Sequence, residues 1–148
     1  MARPFNSIGA GIPGQLVLGA VLRRVKDALL AGKDRISIGN LDSSRDFVSV
    51  EDLAEAYIRM VQADRWGDVF QLCSGKPIQI RSLVELALTF APRPISLEID
   101  SSLVRPTEIP VAYGDPKKAQ DAFGFQASVP LEEAVRAAWD YEMQEVAG

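Results

Sequence analysis

Four polar side chains of this sequence have the chemistry to bind an anionic ligand, namely Asn6, Arg45, Arg105 and Glu108. An arginine guanidinium can hold two phosphate oxygens at once, an asparagine amide can donate to another, and a carboxylate accepts from a hydroxyl or a base donor. The chain has no histidine, which removes the commonest general base and metal ligand. Its other polar residues show neither metal-ligand spacing nor a nucleophile–base pair. These four residues are therefore candidates for contacts with such a ligand, and we expect no catalytic or metal residue.

Each of the four also has a purely structural interpretation. Arg45 is followed by Asp46, with which it could form an ion pair. Asn6 stands in a context typical of a turn. Arg105 is held extended by the proline after it and could lie with Glu108 in a solvated loop. The residue types leave both interpretations open.

The composition indicates one domain over residues 1–148. A chain of this length with 47% hydrophobic residues can bury a single core. A net charge of −4 and a pI near 4.9 argue against nucleic acid and anionic membranes as partners. The single cysteine, Cys73, excludes an internal disulfide, fits a reducing compartment, and lies in a hydrophobic run where packing is expected rather than nucleophilic chemistry. No signal peptide or membrane span is recognisable, so we expect a cytoplasmic protein.

Hydrophobic periodicity predicts an α/β fold with about five helices and a small mixed sheet. The predicted helices cover residues 15–31, 53–61, 81–90, 115–123 and 130–145. The predicted strands cover residues 35–39, 69–73 and 95–99, with a brief extension at 47–48. Ser49–Asp52 has the pattern of a capping box that opens the second helix.

The run 69–73 and the helix 53–61 carry more apolar residues than so small a sheet requires. We expect their apolar surface to be covered by another chain, and this expectation predicts a homo-oligomer or a separate partner polypeptide.

Two motifs imitate catalytic signatures. Gly9–Gly14 matches G-x-G-x-x-G, but the residues before it show no Val/Ile-rich strand and Pro13 is unsuited to a phosphate-binding loop. Tyr113–Lys117 matches Y-x-x-x-K, but Gly114 and Pro116 oppose the continuous helix that would place the two side chains one turn apart. We expect neither motif to bind a cofactor.

Four phrases in fixed order resemble a known family: Arg3–Asn6, Gly39–Phe47, Cys73–Gly75, and Arg105–Glu108 with Gly114-Asp115. They resemble the C-terminal, substrate-binding half of the extended short-chain dehydrogenase/reductases (SDRs), in the NAD-dependent epimerase/dehydratase family. The branch that they resemble most contains GDP-mannose 4,6-dehydratase and the GDP-4-keto-6-deoxymannose reductases. The resemblance runs from Arg3 to roughly Trp139.

The resemblance implies roles for the four candidate residues. In the family, the arginine at position 45 contacts the nucleotide sugar, and the asparagine at position 6 donates to a phosphate. The arginine at position 105 lies on the diphosphate, and the carboxylate at position 108 accepts from a hydroxyl or a base. A further basic residue on the next helix helps to bind phosphate in the dehydratase branch. Arg23 and Arg24 are nearby, but the register places Val21 at that position.

The resemblance also implies what this chain lacks. In these enzymes the NAD(P) site and the catalytic tyrosine and lysine lie in the N-terminal half, which we expect to be absent here. We therefore expect a GDP-sugar-binding portion of an NAD(P)-dependent dehydratase, epimerase or reductase that is not catalytic alone. NAD(P) would be bound only if a separate Rossmann-fold polypeptide supplied its binding site. The alternative is a stand-alone module that binds a nucleotide sugar or self-associates without chemistry.

Overall fold

The computed structural model describes residues 1–64, 67–103, 109–144 and 146. The α/β prediction is confirmed. The helices are α1 Val17–Leu30, α2 Val50–Gln62, α3 Ile80–Leu88, α4 Lys117–Phe123 and α5 Leu131–Glu142. The strands are β1 Ala2–Pro4, β2 Asn6–Ile8, β3 Arg35–Ile38, β4 Ser44–Ser49, β5 Phe70–Leu72, β6 Pro77–Gln79, β7 Ser96–Ile99 and β8 Val111–Ala112. A 3-10 turn at Ser101–Leu103 follows β7.

The strands form three small sheets. β1 pairs with β5 in parallel, and β3 pairs with β7 in parallel. β4 is the centre of the third sheet, where it runs parallel to β2 and β8 and antiparallel to β6. Only Phe5 separates β1 from β2, so one extended segment joins the first sheet to the third. The N-terminal residues therefore connect the sheet that contains β5 to the sheet that is centred on β4.

Two apolar clusters hold these elements together. The larger cluster contains the inner faces of α1, α3 and α5 together with residues of β2, β3 and β4. α1 joins it through Leu18, Val21, Leu22 and Val25, the spacing of one helical face. The smaller cluster lies between α2, β5 and α4, around Phe70 and Leu72.

Three short strands, β1, β2 and β6, were not anticipated by the sequence pattern. Each has three residues, which is too short for alternation to stand out, and pairing with neighbours far along the chain defines them. β2 ends directly before Gly9, so a short strand does precede the glycine motif, but it is not the Val/Ile-rich strand of a dinucleotide fingerprint. β4 is also longer than the brief extension predicted at 47–48, because Ser44 and Arg45 pair with both β6 and β8.

The carboxylate of Asp46 connects loops that are far apart in the sequence. Asp46 is fully buried, and it accepts hydrogen bonds from Ser74 N and Oγ at 2.8 and 2.7 Å, Gly75 N at 2.9 Å and Gly114 N at 3.3 Å. The Asn6 amide donates to the main-chain carbonyl of Asp46 at 2.8 Å. A buried carboxylate is stable only when such donors replace its hydration. This one residue therefore fixes the positions of β2, β4 and the loops after β5 and β8.

Asp52 has a similar role at the start of α2. The Ser49 hydroxyl accepts from Asp52 N at 2.9 Å, which confirms half of the predicted capping box. The Asp52 carboxylate does not complete the box. It accepts instead from Ser128 N and Oγ and from Val129 N at 2.9–3.1 Å, and so holds the segment before α5 against α2.

The expectation that another chain must cover the apolar run 69–73 is wrong for most of the run. Phe70, Leu72 and Cys73 are at most 1% exposed, because α2 and α4 cover β5 within this chain. The outer face of α2, in contrast, does leave apolar side chains exposed, including Ile58 and Val61. Among the described residues, no helix has the length and apolar character needed to cross a membrane.

We expect Asp46→Asn to lower the free energy of unfolding by about 3 kcal/mol, because an amide turns a donor towards buried N–H groups and leaves them without an acceptor. Asp42→Asn is the matched control, since Asp42 is exposed and contacts Arg81 at 3.4 Å. We expect the control to change stability by no more than about 0.5 kcal/mol. Urea denaturation of both variants measures the difference, and equal effects would show that Asp46 is not the anchor.

Candidate functional site

A cleft of about 340 Å³ lies between α1, the end of β3 and the start of β4. Its apolar floor consists of Leu16, Val17, Ala20, Val21, Ile38 and Ile80. Its polar wall consists of Gln15, Asn40 and Ser43 together with Asn6, Arg24 and Arg45. Within the described part of the chain no acidic residue lines the cleft, so two guanidinium groups dominate its charge. Such a cleft favours an anionic ligand that also has an apolar or ring portion.

Arg45 lies in β4 with its side chain towards the cleft. Its Nη1 donates to the carbonyls of Ser44 and Ile109, each at 2.8 Å. Neighbouring residues of a strand point to opposite faces, and Asp46 is accordingly buried on the other side with the donors described above. The contacts of Asp46 thus do not support the alternative of an Arg45–Asp46 ion pair. The two carbonyl bonds orient the Arg45 guanidinium at the rim of the cleft.

Asn6 is the first residue of β2, so the alternative of a turn-forming asparagine is wrong. Its Nδ2 bond to the Asp46 carbonyl fixes the amide plane, and the residue lines the cleft beside Arg45. The predicted residues Asn6 and Arg45 are therefore brought together by their common attachment to the Asp46 segment.

Arg24 is a cleft residue that the sequence register did not select. The resemblance places Val21 where the dehydratase branch has a basic residue that helps to bind phosphate. Val21 does line the cleft, but it is an apolar residue of the buried floor. Arg24 follows three residues later on the same face of α1 and supplies the charge. The lining residues Val17, Ala20 and Arg24 share helical spacing with Val21, and this periodicity was the signal that could have identified Arg24.

Asp100 lies beyond the cleft rim, and its carboxylate is already occupied. Ser102 donates to it through both its hydroxyl and its main-chain N–H, and these bonds, with a smaller contribution from the charge of Arg24, lower the pKa of Asp100. The carboxylate therefore stays ionised.

The predicted site residues Arg105 and Glu108 lie outside the described residues. On one side of them Leu103 lines the cleft, and on the other the Ile109 carbonyl accepts from Arg45. Their assignment to the site remains a prediction.

A second cavity, of about 290 Å³, lies between β4 and the segment before α5. The polar side chains in its wall include Ser49, Asp52 and Ser128, which are hydrogen-bonded to one another or to the main chain. Because these groups already have partners, this cavity offers fewer groups to a polar ligand than the cleft does.

The glycine motif at 9–14 does not have the geometry of a dinucleotide loop. A Cβ on Gly9 would lie 2.2 Å from Val50 Cγ2, and one on Gly14 would lie 2.2 Å from Arg23 Nη1. The space beside each of these two glycines is therefore filled by a side chain of the same protein. α1 begins only at Val17, after the motif has ended, whereas a dinucleotide fingerprint requires the helix to begin within it.

Tyr113 and Lys117 do not share a helix, as predicted. α4 begins at Lys117, and Tyr113 lies before it. The Lys117 ammonium contacts both carboxylate oxygens of Asp121, at 3.1 and 2.8 Å, and these bonds raise the pKa of Lys117. This pair thus lacks the arrangement of a tyrosine acid with an adjacent lysine.

Comparison with known proteins identifies relatives over almost the whole chain. A family model described as GDP-mannose 4,6 dehydratase matches residues 1–138. GDP-6-deoxy-D-mannose reductase from Pseudomonas aeruginosa is 31% identical over 98% of this chain and 49% of its own length. GDP-mannose 4,6 dehydratase from Cricetulus griseus is 28% identical over 89% of this chain and 40% of its own.

The fold agrees with these sequence matches. A solved structure of RMD from Pseudomonas aeruginosa complexed with NADPH superimposes with a TM-score of 0.87 and 29% identity, over 97% of this chain and 48% of that one. The chain thus spans about half the length of the relatives that it matches.

We expect Cys73 to be unreactive in the folded protein. Its side chain is fully buried, and burial, assisted by the charge of Asp46, raises the pKa of the thiol to about 11. At pH 8 the native protein should therefore react with a disulfide reagent many times more slowly than the same protein in guanidinium chloride. The unfolded thiol ionises first as pH rises above its ordinary pKa of 9.0, so stability should fall between about pH 9 and 11. Equal rates in both states would contradict the burial of Cys73.

Proposed function

The chain belongs to the GDP-mannose 4,6-dehydratase family of sugar-nucleotide dehydratases, epimerases and reductases, and from this membership we propose that it binds a nucleotide sugar of the GDP type. In this proposal the cleft beside α1 holds the ligand, and Arg45, Arg24 and Asn6 contact its phosphates. The chain acts as the substrate-binding portion of an NAD(P)-dependent enzyme and does not catalyse the reaction alone.

The observation that carries the proposal is the charge of the cleft. Two guanidinium groups and an oriented amide line the cleft, while no described lining residue carries a negative charge. A diphosphate presents several oxygens to such donors, and each charge-assisted bond is stronger than a neutral one. The apolar floor formed by α1, β3 and Ile80 suits a sugar or base ring.

In this proposal the dinucleotide is held by residues other than the 148 of this sequence, because of the chemistry of the family. A bound nicotinamide dinucleotide supplies hydride transfer in such enzymes. Neither the Gly9–Gly14 loop nor the Tyr113–Lys117 pair of this chain has the geometry to hold or assist that group. The relatives are about twice as long as this chain, and one of them was solved with NADPH. These facts support a division in which the residues of this sequence provide substrate contacts and the dinucleotide is held by residues outside it.

Calorimetric titration with GDP-mannose tests the binding site. We expect Arg24→Gln to raise the dissociation constant tenfold or more, because it removes a hydrogen-bond partner of the phosphate that contributes about 1.5–3 kcal/mol. Arg23→Gln is the matched control, since it removes the same charge from the adjacent residue, which does not line the cleft. Equal losses of affinity in the two variants would show that Arg24 acts only through long-range charge attraction. Absence of binding heat with the unaltered chain would refute the proposed function.

A second variant separates charge from geometry at Arg45. Arg45→Lys keeps the positive charge, but a lysine ammonium lacks the planar guanidinium that can bond to two carbonyls and a phosphate at once. We expect about tenfold weaker GDP-mannose binding with a shift of the thermal midpoint of no more than a few degrees. Unchanged affinity would place the phosphate away from Arg45, and a large drop in the midpoint would make Arg45 a structural residue.

A further inference from the structure

Residues 109–115, which we name the β8 segment, hold Arg45 from one side of the cleft. The Ile109 carbonyl accepts from Arg45 Nη1 at 2.8 Å, and the Pro110 carbonyl accepts from Ser44 N at 2.7 Å. β8 continues this contact, because it pairs with β4 at Ser44 and Arg45. The place of the Arg45 guanidinium at the cleft rim therefore depends on where the β8 segment lies.

The β8 strand is poorly anchored by its own side chains. It has two residues, which is shorter than most strands, and among the described strands it pairs with β4 alone. Ile109 is 65% exposed, Tyr113 59% and Val111 51%, and these three side chains belong to neither apolar cluster. Burial thus contributes little to holding the β8 segment, and polar contacts at its other end have to fix it.

The Gln71 side chain fixes that other end. Gln71 is the middle residue of β5, and its neighbours Phe70 and Leu72 are buried in the smaller cluster. Because alternate residues of a strand point to opposite faces, the Gln71 side chain leaves the cluster. Its Oε1 accepts from Asp115 N at 2.8 Å. The acceptor is thus carried by a strand whose adjacent residues are anchored in the core.

The residue before Asp115 is packed against the same glutamine. A Cβ on Gly114 would lie 2.6 Å from Phe5 Cζ and 2.7 Å from both Cys73 Sγ and Gln71 Oε1. Gly114 N also donates to the Asp46 carboxylate, but at 3.3 Å this is the longest of the bonds described for that group. The shorter Gln71 bond therefore reinforces the attachment of the β8 segment to the protein interior.

We propose that Gln71 is a positioning residue for nucleotide-sugar binding, and that it acts on Arg45 through the β8 segment. Gln71 does not line the cleft, so it makes no contact there with a ligand. It fixes Asp115, and the segment transmits this constraint to the Ile109 carbonyl that orients Arg45. A guanidinium that is already oriented loses less conformational entropy when it binds a phosphate. This inference rests on the proposed function, because it names a residue that sets the affinity of the same cleft.

A purely structural role for Gln71 is the competing explanation. In that case Gln71 would stabilise the loop after β8 without affecting the cleft. Asp115 is exposed, so water can replace the lost acceptor, and removal of the Gln71 amide should cost little stability. A structural role therefore predicts unchanged affinity of the folded protein, whereas a positioning role predicts weaker binding at nearly unchanged stability.

Calorimetric titration with GDP-mannose distinguishes the two roles. Gln71→Leu keeps the approximate size of the side chain and removes the acceptor. We expect it to raise the dissociation constant about fivefold or more, with a thermal midpoint within a few degrees of the unaltered chain. Gln79→Leu is the matched control, since Gln79 is an exposed residue of β6, which also pairs with β4, and we expect a change below about twofold. Unchanged affinity in Gln71→Leu, or equal losses in both variants, would overturn the proposal.

A double-variant cycle tests whether the effect passes through Arg45. In the Arg45→Lys background the oriented guanidinium is already absent, so Gln71→Leu should raise the dissociation constant by less than about twofold. A further loss as large as that in the unaltered background would show that Gln71 acts independently of Arg45. That result would overturn the proposal even if Gln71→Leu alone weakened binding.

Hydrogen exchange separates this inference from the proposed function, because it requires no ligand. The Ser44 N–H is bonded to the Pro110 carbonyl, so its exchange reports the attachment of the β8 segment. We expect exchange at Ser44 to be several times faster in Gln71→Leu and unchanged in Gln79→Leu. Unchanged exchange in Gln71→Leu would overturn the inference alone. Absence of GDP-mannose binding in every form would refute the proposed function, whereas faster exchange at Ser44 would still support the attachment through Gln71.

Discussion

The buried carboxylate of Asp46 is the interaction on which the rest of the structure depends. Loops after β5 and β8 turn their N–H groups towards it, and the Asn6 amide bonds to its carbonyl. The four sequence phrases that resemble the family are spread over more than 100 residues; one of them contains Asp46, and each of the other three supplies a residue that is hydrogen-bonded to it. These bonds give the phrases a physical meaning, because their donors satisfy the Asp46 carbonyl or carboxylate.

The same segment sets the geometry of the binding cleft. Because successive strand residues point to opposite faces, burying Asp46 turns Arg45 outward to the cleft, where the carbonyls of Ser44 and Ile109 hold it. Asn6 reaches the cleft through its bond to the Asp46 carbonyl. In the proposed function, structural and binding roles are thus divided between the adjacent residues Asp46 and Arg45.

The cleft and the smaller apolar cluster occupy different parts of the structure. The cleft lies against α1 and the start of β4, whereas the smaller cluster lies between α2, β5 and α4. β1 and β2 are joined at Phe5, so the strand that pairs with β5 continues directly into the strand that carries Asn6. This short connection links the smaller cluster to the cleft.

The sequence alone predicted the fold class, the five helices within a few residues and the end of α4 at Gly124. It also singled out Asn6 and Arg45, which both line the cleft. These depend on local periodicity, on backbone restrictions and on motif chemistry. The tertiary structure decided the three-residue strands, the partners of Asp46 and Asp52, and the place of Arg24 in the cleft. Each of these arises from contacts between residues distant in the chain, and such contacts leave no periodic signal in the sequence.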